Sequence, residues 1–111
     1  MGSALDRGRA SFDRKAWRDA YEQLAIADRE SPLAPEPLEQ LAIAAFLAGK
    51  DDSSVDCWTR LHQEFLSQGE IVRAARSACW LGFDLMANSE MAPALGWFAR
   101  ARRLLDEGQH D

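Results

Sequence analysis

The sequence predicts an all-α protein: three stacked antiparallel helical hairpins, six helices in all. Three observations lead there. Apolar residues recur at steps of three and four from end to end. Prolines, glycines and small polar residues divide these runs into six segments. Each pair of segments then carries the same spaced set of packing residues. No stretch alternates apolar and polar residues for long enough to make a strand.

The elements follow in chain order, over roughly 4–14, 16–30, 36–48, 52–67, 70–87 and 90–106. The second carries Trp17, Ala20, Tyr21, Leu24 and Ala27 on one face. Pro32, Pro35 and Pro37 end it and open the third, because the missing N–H of proline is not needed in a first turn. Gly49 stops the third helix, and Asp51, Asp52 and Ser53 are expected to cap the fourth. Val55, Trp58, Leu61 and Phe65 give the fourth its apolar face, and Gly69 closes it. Ala74, Ala78, Leu81 and Leu85 do the same in the fifth. Ser89 with Glu90 is expected to cap the sixth, which carries Ala94, Phe98, Ala101 and Leu105 and tolerates Pro93 in its first turn. The connections are short, so neighbours must run antiparallel.

The spaced set decides how the helices pair. Gly8 is followed by Ala20, Leu24 and Ala27 at steps of twelve, four and three; Ala42 by Ser54, Trp58 and Leu61, and Gly82 by Ala94, Phe98 and Ala101, at the same steps. A small residue on the first helix of a hairpin lets the second approach, and a large one a turn later fills the space beyond. This spacing resembles the tetratricopeptide repeat, which implies a right-handed superhelical array. Trp17 and Pro32 stand at that repeat's inter-helix aromatic and closing proline. The second unit departs from it at Ser54 and Leu61, and Ala4, Leu38 and Ala78 stand where its early tryptophan would be. The chain is read as a single domain of three hairpins, approximately 4–30, 36–67 and 70–106.

A narrower likeness runs from Gly8 to Glu107. The segments GRASFDRKAWRDAYEQLAIADRESPLAPEPLEQLAIAAFLAGKDD and ARSACWLGFDLMANSEMAPALGWFARARRLLDE resemble the N-terminal helical region of certain actinobacterial LuxR-type transcriptional regulators. Those proteins are longer and end in a helix-turn-helix, so the resemblance implies a regulatory module, excised or free-standing.

Composition narrows the function classes. Of 111 residues, 47% are apolar and 28% charged, as in ordinary globular domains. Thirteen basic against 18 acidic residues give a net charge of -5, which opposes direct binding of nucleic acid or anionic membrane. That surplus lies within 36–70, where seven acids face only Lys50 and Arg60. The longest apolar run, Leu41 to Gly49, is too short to span a bilayer. No secretory signal opens the chain, and Met1-Gly2-Ser3 reads as a vector remnant. Two cysteines, Cys57 and Cys79, with no CxxC, suggest a reducing cytoplasm and inert thiols.

Nothing points to catalysis, a metal or a cofactor. The histidines are His62, expected on a helix surface, and His110, expected in a frayed tail. There is no nucleophile elbow, no split carboxylate pair and no glycine-rich phosphate loop. Arg100, Arg102 and Arg103 are expected in the last turns of the final helix, where they complement its dipole.

The repeat resemblance implies an inner groove lined by the first helix of each hairpin. Its places fall on Leu5, Arg9, Phe12 and Asp13, on Glu36, Glu39, Ile43 and Phe46, and on Arg76, Cys79, Phe83 and Met86. Arg9, Phe12, Ile43, Phe46, Arg76, Phe83 and Met86 are the candidate partner-binding set, with an arginine meeting a partner carboxylate. The alternative use of the same surface is an apolar effector enclosed by Phe46, Cys79, Phe83 and Met86, a small-molecule sensor. Alternatively, Phe12, Phe46 and Phe83 simply extend the core. The last helix is apolar on more than one side, which suggests a homodimer with Trp97 and Leu104 at the contact.

Overall fold

A computed structural model describes residues 3–108 and places six α-helices in them, with no strand among the described residues. They are α1 (Ala4–Asp13), α2 (Trp17–Glu30), α3 (Pro35–Leu47), α4 (Asp51–Ser67), α5 (Ile71–Ala87) and α6 (Met91–Gly108). None is long and apolar enough to cross a membrane. Met1, Gly2 and His110 lie outside the described residues. The chain divides into two compact units, Met1–Cys57 and Trp58–Asp111, with α4 contributing 51–57 to the first and 58–67 to the second.

In the first unit α1 and α2 form a hairpin, and α3 packs on both. Ser3 caps α1: its hydroxyl accepts from the Asp6 N–H at 3.1 Å, and the Asp6 carboxylate accepts from the Ser3 N–H at 3.4 Å. Gly8 lies against Leu24, so close that a β-carbon there would stand 2.7 Å from Leu24 Cγ and 3.0 Å from its backbone nitrogen. Ala20, Leu24 and Ala27 on α2 are buried with Leu38, Leu41, Ala42, Ala44 and Ala45 on α3. Ser54, at the alanine position of the repeat, is fully buried, and its hydroxyl donates to the Ala42 carbonyl at 3.1 Å. That bond accounts for a polar residue at a packing position.

In the second unit α5 and α6 form a hairpin. Gly82 lies against Phe98, where a β-carbon would meet the ring at 2.7 Å. Ala75, Ala78 and Ala101 form an apolar cluster on which Cys79, Trp97 and Leu104 pack. The separation from Gly8 to Leu24 is that from Gly82 to Phe98, so the repeat spacing corresponds to one recurring contact.

Four turns share a geometry. After α1, α3, α4 and α5 comes a left-handed residue, Lys15 (φ 62°), Gly49 (φ 79°), Gly69 (φ 73°) and Ser89 (φ 63°). In each, the left-handed residue donates to the carbonyl three residues back, and its successor donates to the carbonyl five back, as Glu90 does to Leu85 at 2.9 Å. This is the Schellman arrangement. Ser89 therefore closes α5 and does not cap α6 as expected, because its backbone is left-handed and α6 begins at Met91. Asp51 and Asp52 lie inside the first turn of α4, near the positive end of its dipole, and do not precede it. Arg100, Arg102 and Arg103 stand short of the last turn of α6, which continues to Gly108.

Candidate functional site

The amphipathic pattern of α5 divides it sharply. Ala74, Ala75, Ser77, Ala78, Leu81, Gly82, Asp84 and Leu85 are buried. The opposite side carries Val72, Arg76, Trp80, Phe83 and Met86, all exposed. An outward helix face is ordinarily polar. Here Trp80 is 43% and Phe83 53% exposed, and the helix's one acid, Asp84, is 2% exposed.

These exposed rings rest on a run of aromatic contacts drawn from α4, α5 and α6. The buried Trp58 stacks on Trp80, centroids 5.8 Å apart and planes within 11°. Trp80 meets Phe83 edge-on at 6.1 Å, and Phe83 meets Phe98 edge-on at 5.1 Å. Such geometries hold rings in place beyond what burial alone achieves. Arg73, in the first turn of α5, lies over Phe65 of α4 at 5.9 Å.

The sequence-predicted candidates separate by unit. In the first, Arg9 is engaged by Glu36 in an ion pair between α1 and α3. Phe12 is half-buried against Trp17, edge-on at 5.3 Å, and Ile43 is half-buried. Phe46, 40% exposed, remains open. In the second, Arg76, Phe83 and Met86 share the outward face of α5. Cys79 is half-buried, Cys57 is buried, and both are free thiols. Trp97 and Leu104 are half-buried on the alanine cluster, whereas Met91, Leu95 and Leu105 are the open apolar residues of α6.

Sequence reasoning passed over Trp80 and Val72. The signal was present: positions 72, 76, 80 and 83 step by four, four and three, the same period as the core face but on the other side. It also misplaced His62, which is 2% exposed. Its Nδ1 lies 2.8 Å from the Ala74 carbonyl, and Arg100 Nε–H donates to its Nε2 at 3.0 Å. A carbonyl only accepts, so Nδ1 carries the proton and the ring is neutral. Burial depresses its pKa below the ordinary histidine value; the Ala74 bond opposes this and the Arg100 charge adds to it. Trp97 closes the arrangement, edge-on to His62 at 5.3 Å and under Arg100 at 5.8 Å. The sequence could not indicate this: a histidine on α4 becomes buried only because α5 and α6 cross it.

Among the described residues no group of three or more His, Cys, Asp or Glu side chains could hold a metal ion. Depressions on α6 are open; one, of about 440 Å³, is lined by Phe98, Ala99, Arg102, Arg103 and Asp106. Another is lined by Pro93, Gly96, Trp97, Arg100 and Arg103.

No protein-family model and no curated protein sequence matches the chain.

Proposed function

We propose that the chain is a non-enzymatic protein-interaction module, with a regulatory role of the kind its resemblance to the LuxR-type helical region implies. The observation that carries this is the outward face of α5, where Trp80, Phe83 and Met86 stand open to solvent although the rings beneath are well packed. Exposed aromatics beside arginine are the usual chemistry of interface hot spots. Rings held by neighbouring rings also lose little freedom when a partner covers them.

The test is nuclear magnetic resonance titration of the isotope-labelled chain with two panels: amphipathic helical peptides and small apolar compounds. Saturable shifts with peptides, centred on the second unit, are expected. Saturable shifts with a small compound, together with a raised melting temperature, would replace this reading with a sensor.

A further inference from the structure

The outward side of α6 carries an apolar stripe of its own. Met91, Leu95, Phe98, Arg102 and Leu105 follow one another at steps of four, three, four and three. At 100° per residue they fall within an arc of about 80°. Met91, Leu95 and Leu105 are 49%, 59% and 39% exposed, and Phe98 is half-buried. The steps keep a 3.5-residue period, on which a second helix can run alongside. Trp97 and Leu104, the contact expected from the sequence for a homodimer, lie outside this stripe and pack inward on the alanine cluster. Beside the stripe, Ala99, Arg102, Arg103 and Asp106 surround the open depression whose wall is Phe98. They stand at i, i+3, i+4 and i+7, the four positions that make a hole for a knob from a facing helix.

We infer that this stripe pairs with its own counterpart, in an antiparallel α6–α6 contact between two copies of the chain related by a two-fold axis. What selects a second copy is that the knob and the hole stand on one helix. Leu95, the most exposed apolar residue of the stripe, lies seven to eight positions before the centre of the hole, about 11 Å along the helix. Both lean to the same edge of the stripe. In an antiparallel pair a two-fold axis brings that edge onto the same edge of the other copy. With the axis passing beside Ala99, each Leu95 enters the other copy's hole, and both holes are filled at once. A parallel pair would set Leu95 against Leu95 and leave both holes empty. The axis also falls at a small side chain: Ala99 is exposed, and its methyl group lets the two backbones approach. The stems of Arg102 and Arg103 cover the entering leucine while their guanidinium groups stay in water. Asp106, one turn beyond Arg102, offsets part of their charge. One helix face is smaller than the roughly 800 Å² per partner of a standard interface, so the dimer is a weak one. The contact uses none of the exposed residues of α5, so it stands or falls independently of the interaction reading.

The test is sedimentation equilibrium on the chain between about 10 μM and about 1 mM, a range set by that weakness. The average mass is expected to rise from that of one chain toward that of two and to stop there. Leu95→Glu, at an exposed position, should weaken the association at least tenfold, with helicity unchanged by circular dichroism. Val72→Gln, on the open side of α5, should leave it unchanged. Cross-linking tests the symmetry without disturbing the stripe. Under mild oxidation Ala99→Cys should form a disulfide with its own counterpart in the other copy. Ala92→Cys, about 20 Å from its counterpart in this arrangement, should cross-link no more than the unaltered chain, whose Cys57 is buried and Cys79 half-buried. A mass of one chain at every concentration would overturn the inference and leave the α5 reading standing. Masses that grow past two chains would replace the two-fold contact with an open, head-to-tail one. Cross-linking through residue 92 and not 99, or a dimer indifferent to Leu95→Glu, would place the interface on another surface and overturn this one.

Discussion

The α1–α2 and α5–α6 hairpins satisfy one packing demand with different residues. In each, a glycine on the first helix admits a large side chain sixteen positions later, Leu24 in one and Phe98 in the other. Outside that contact they diverge. The open side of α1 is charged and its Arg9 is taken up by Glu36, whereas the open side of α5 is aromatic and carries no exposed acid. The inward residues are held by the geometry of close helices. The outward ones are free of that demand, so their chemistry can differ between the two hairpins.

The closest contact gives the largest expected effect. At Gly8 a β-carbon would lie 3.0 Å from a backbone atom, which cannot move aside; at Gly82 the nearest atoms all belong to the half-buried Phe98 ring, which can rotate outward. Gly8→Leu should therefore lose about 3 kcal/mol or more, and Gly82→Leu about 1–3 kcal/mol. In thermal melts this is a fall of roughly 4–8 °C per kcal/mol. Equal losses would break the distinction between a rigid and a yielding neighbour, and no loss at either would mean that the hairpin register is wrong.

A second contrast lies four residues after the large side chain. In the register that aligns Leu24 with Trp58, His62 stands where Asp28 stands. Asp28 accepts from the Leu33 N–H at 3.0 Å and holds the loop after α2. His62 instead joins Ala74 of α5 to Arg100 of α6. His62→Phe keeps an aromatic ring but removes both bonds, each worth about 0.5–1.5 kcal/mol, and should cost about 1–3 kcal/mol. A loss confined to probes in the second unit, such as amide exchange on α6, would sharpen the comparison.

The same residue makes the second unit acid-sensitive. The folded pKa of His62 lies below its unfolded value, so below about pH 6.5 the unfolded chain binds a proton that the folded chain refuses. Stability is full above that pH and falls as pH drops towards the folded pKa. At pH 5.5 the loss from this one group is at most about 1.4 kcal/mol. The imidazolium could no longer accept from Arg100 and would set two cations side by side. His62→Gln should flatten the decline in urea-unfolding stability between about pH 7.5 and 5.5; an unchanged slope would assign the decline to other groups.

The helices were legible because their signals are local. Proline at the start of α3, and apolar residues at steps of three and four, need no knowledge of the rest of the chain. Gly8 and Gly82 were legible through repetition, although the large residues expected to fill the space beyond, Leu24 and Phe98, are the ones that lie against the two glycines. Phe83 and Met86 could be placed on an open face from the repeat register. Trp80 was hidden because tryptophan reads first as core, and it does pack, stacking on Trp58 while leaving its other face open. The burial of His62 depends on two helices that follow it by twelve and thirty-eight residues, a relation no local pattern carries.

The turns provide the smallest test. Gly49 and Gly69 signal their left-handed backbone, but Lys15 and Ser89 adopt the same conformation with side chains that disfavour it. A β-carbon in that region crowds the following carbonyl and costs roughly 1–2 kcal/mol. Replacing either with glycine removes the crowding but adds freedom to the unfolded chain, which returns about 0.4–1 kcal/mol. Lys15→Gly and Ser89→Gly should each therefore raise stability by about 0.5–1 kcal/mol, small increases in melting temperature of a few degrees. Gly49→Ala and Gly69→Ala should move the other way by a similar amount, although neither β-carbon would meet a neighbouring atom within 4 Å. That last point separates the causes. With open space around both glycines, any loss must come from backbone strain and not from crowding by another helix, the reverse of the situation at Gly8 and Gly82. If Gly49→Ala proved neutral, the left-handed turn would not be what sets these four helix ends, and the hydrogen bonds from Lys50 to Ala45 and from Glu70 to Phe65 would have to hold them without it.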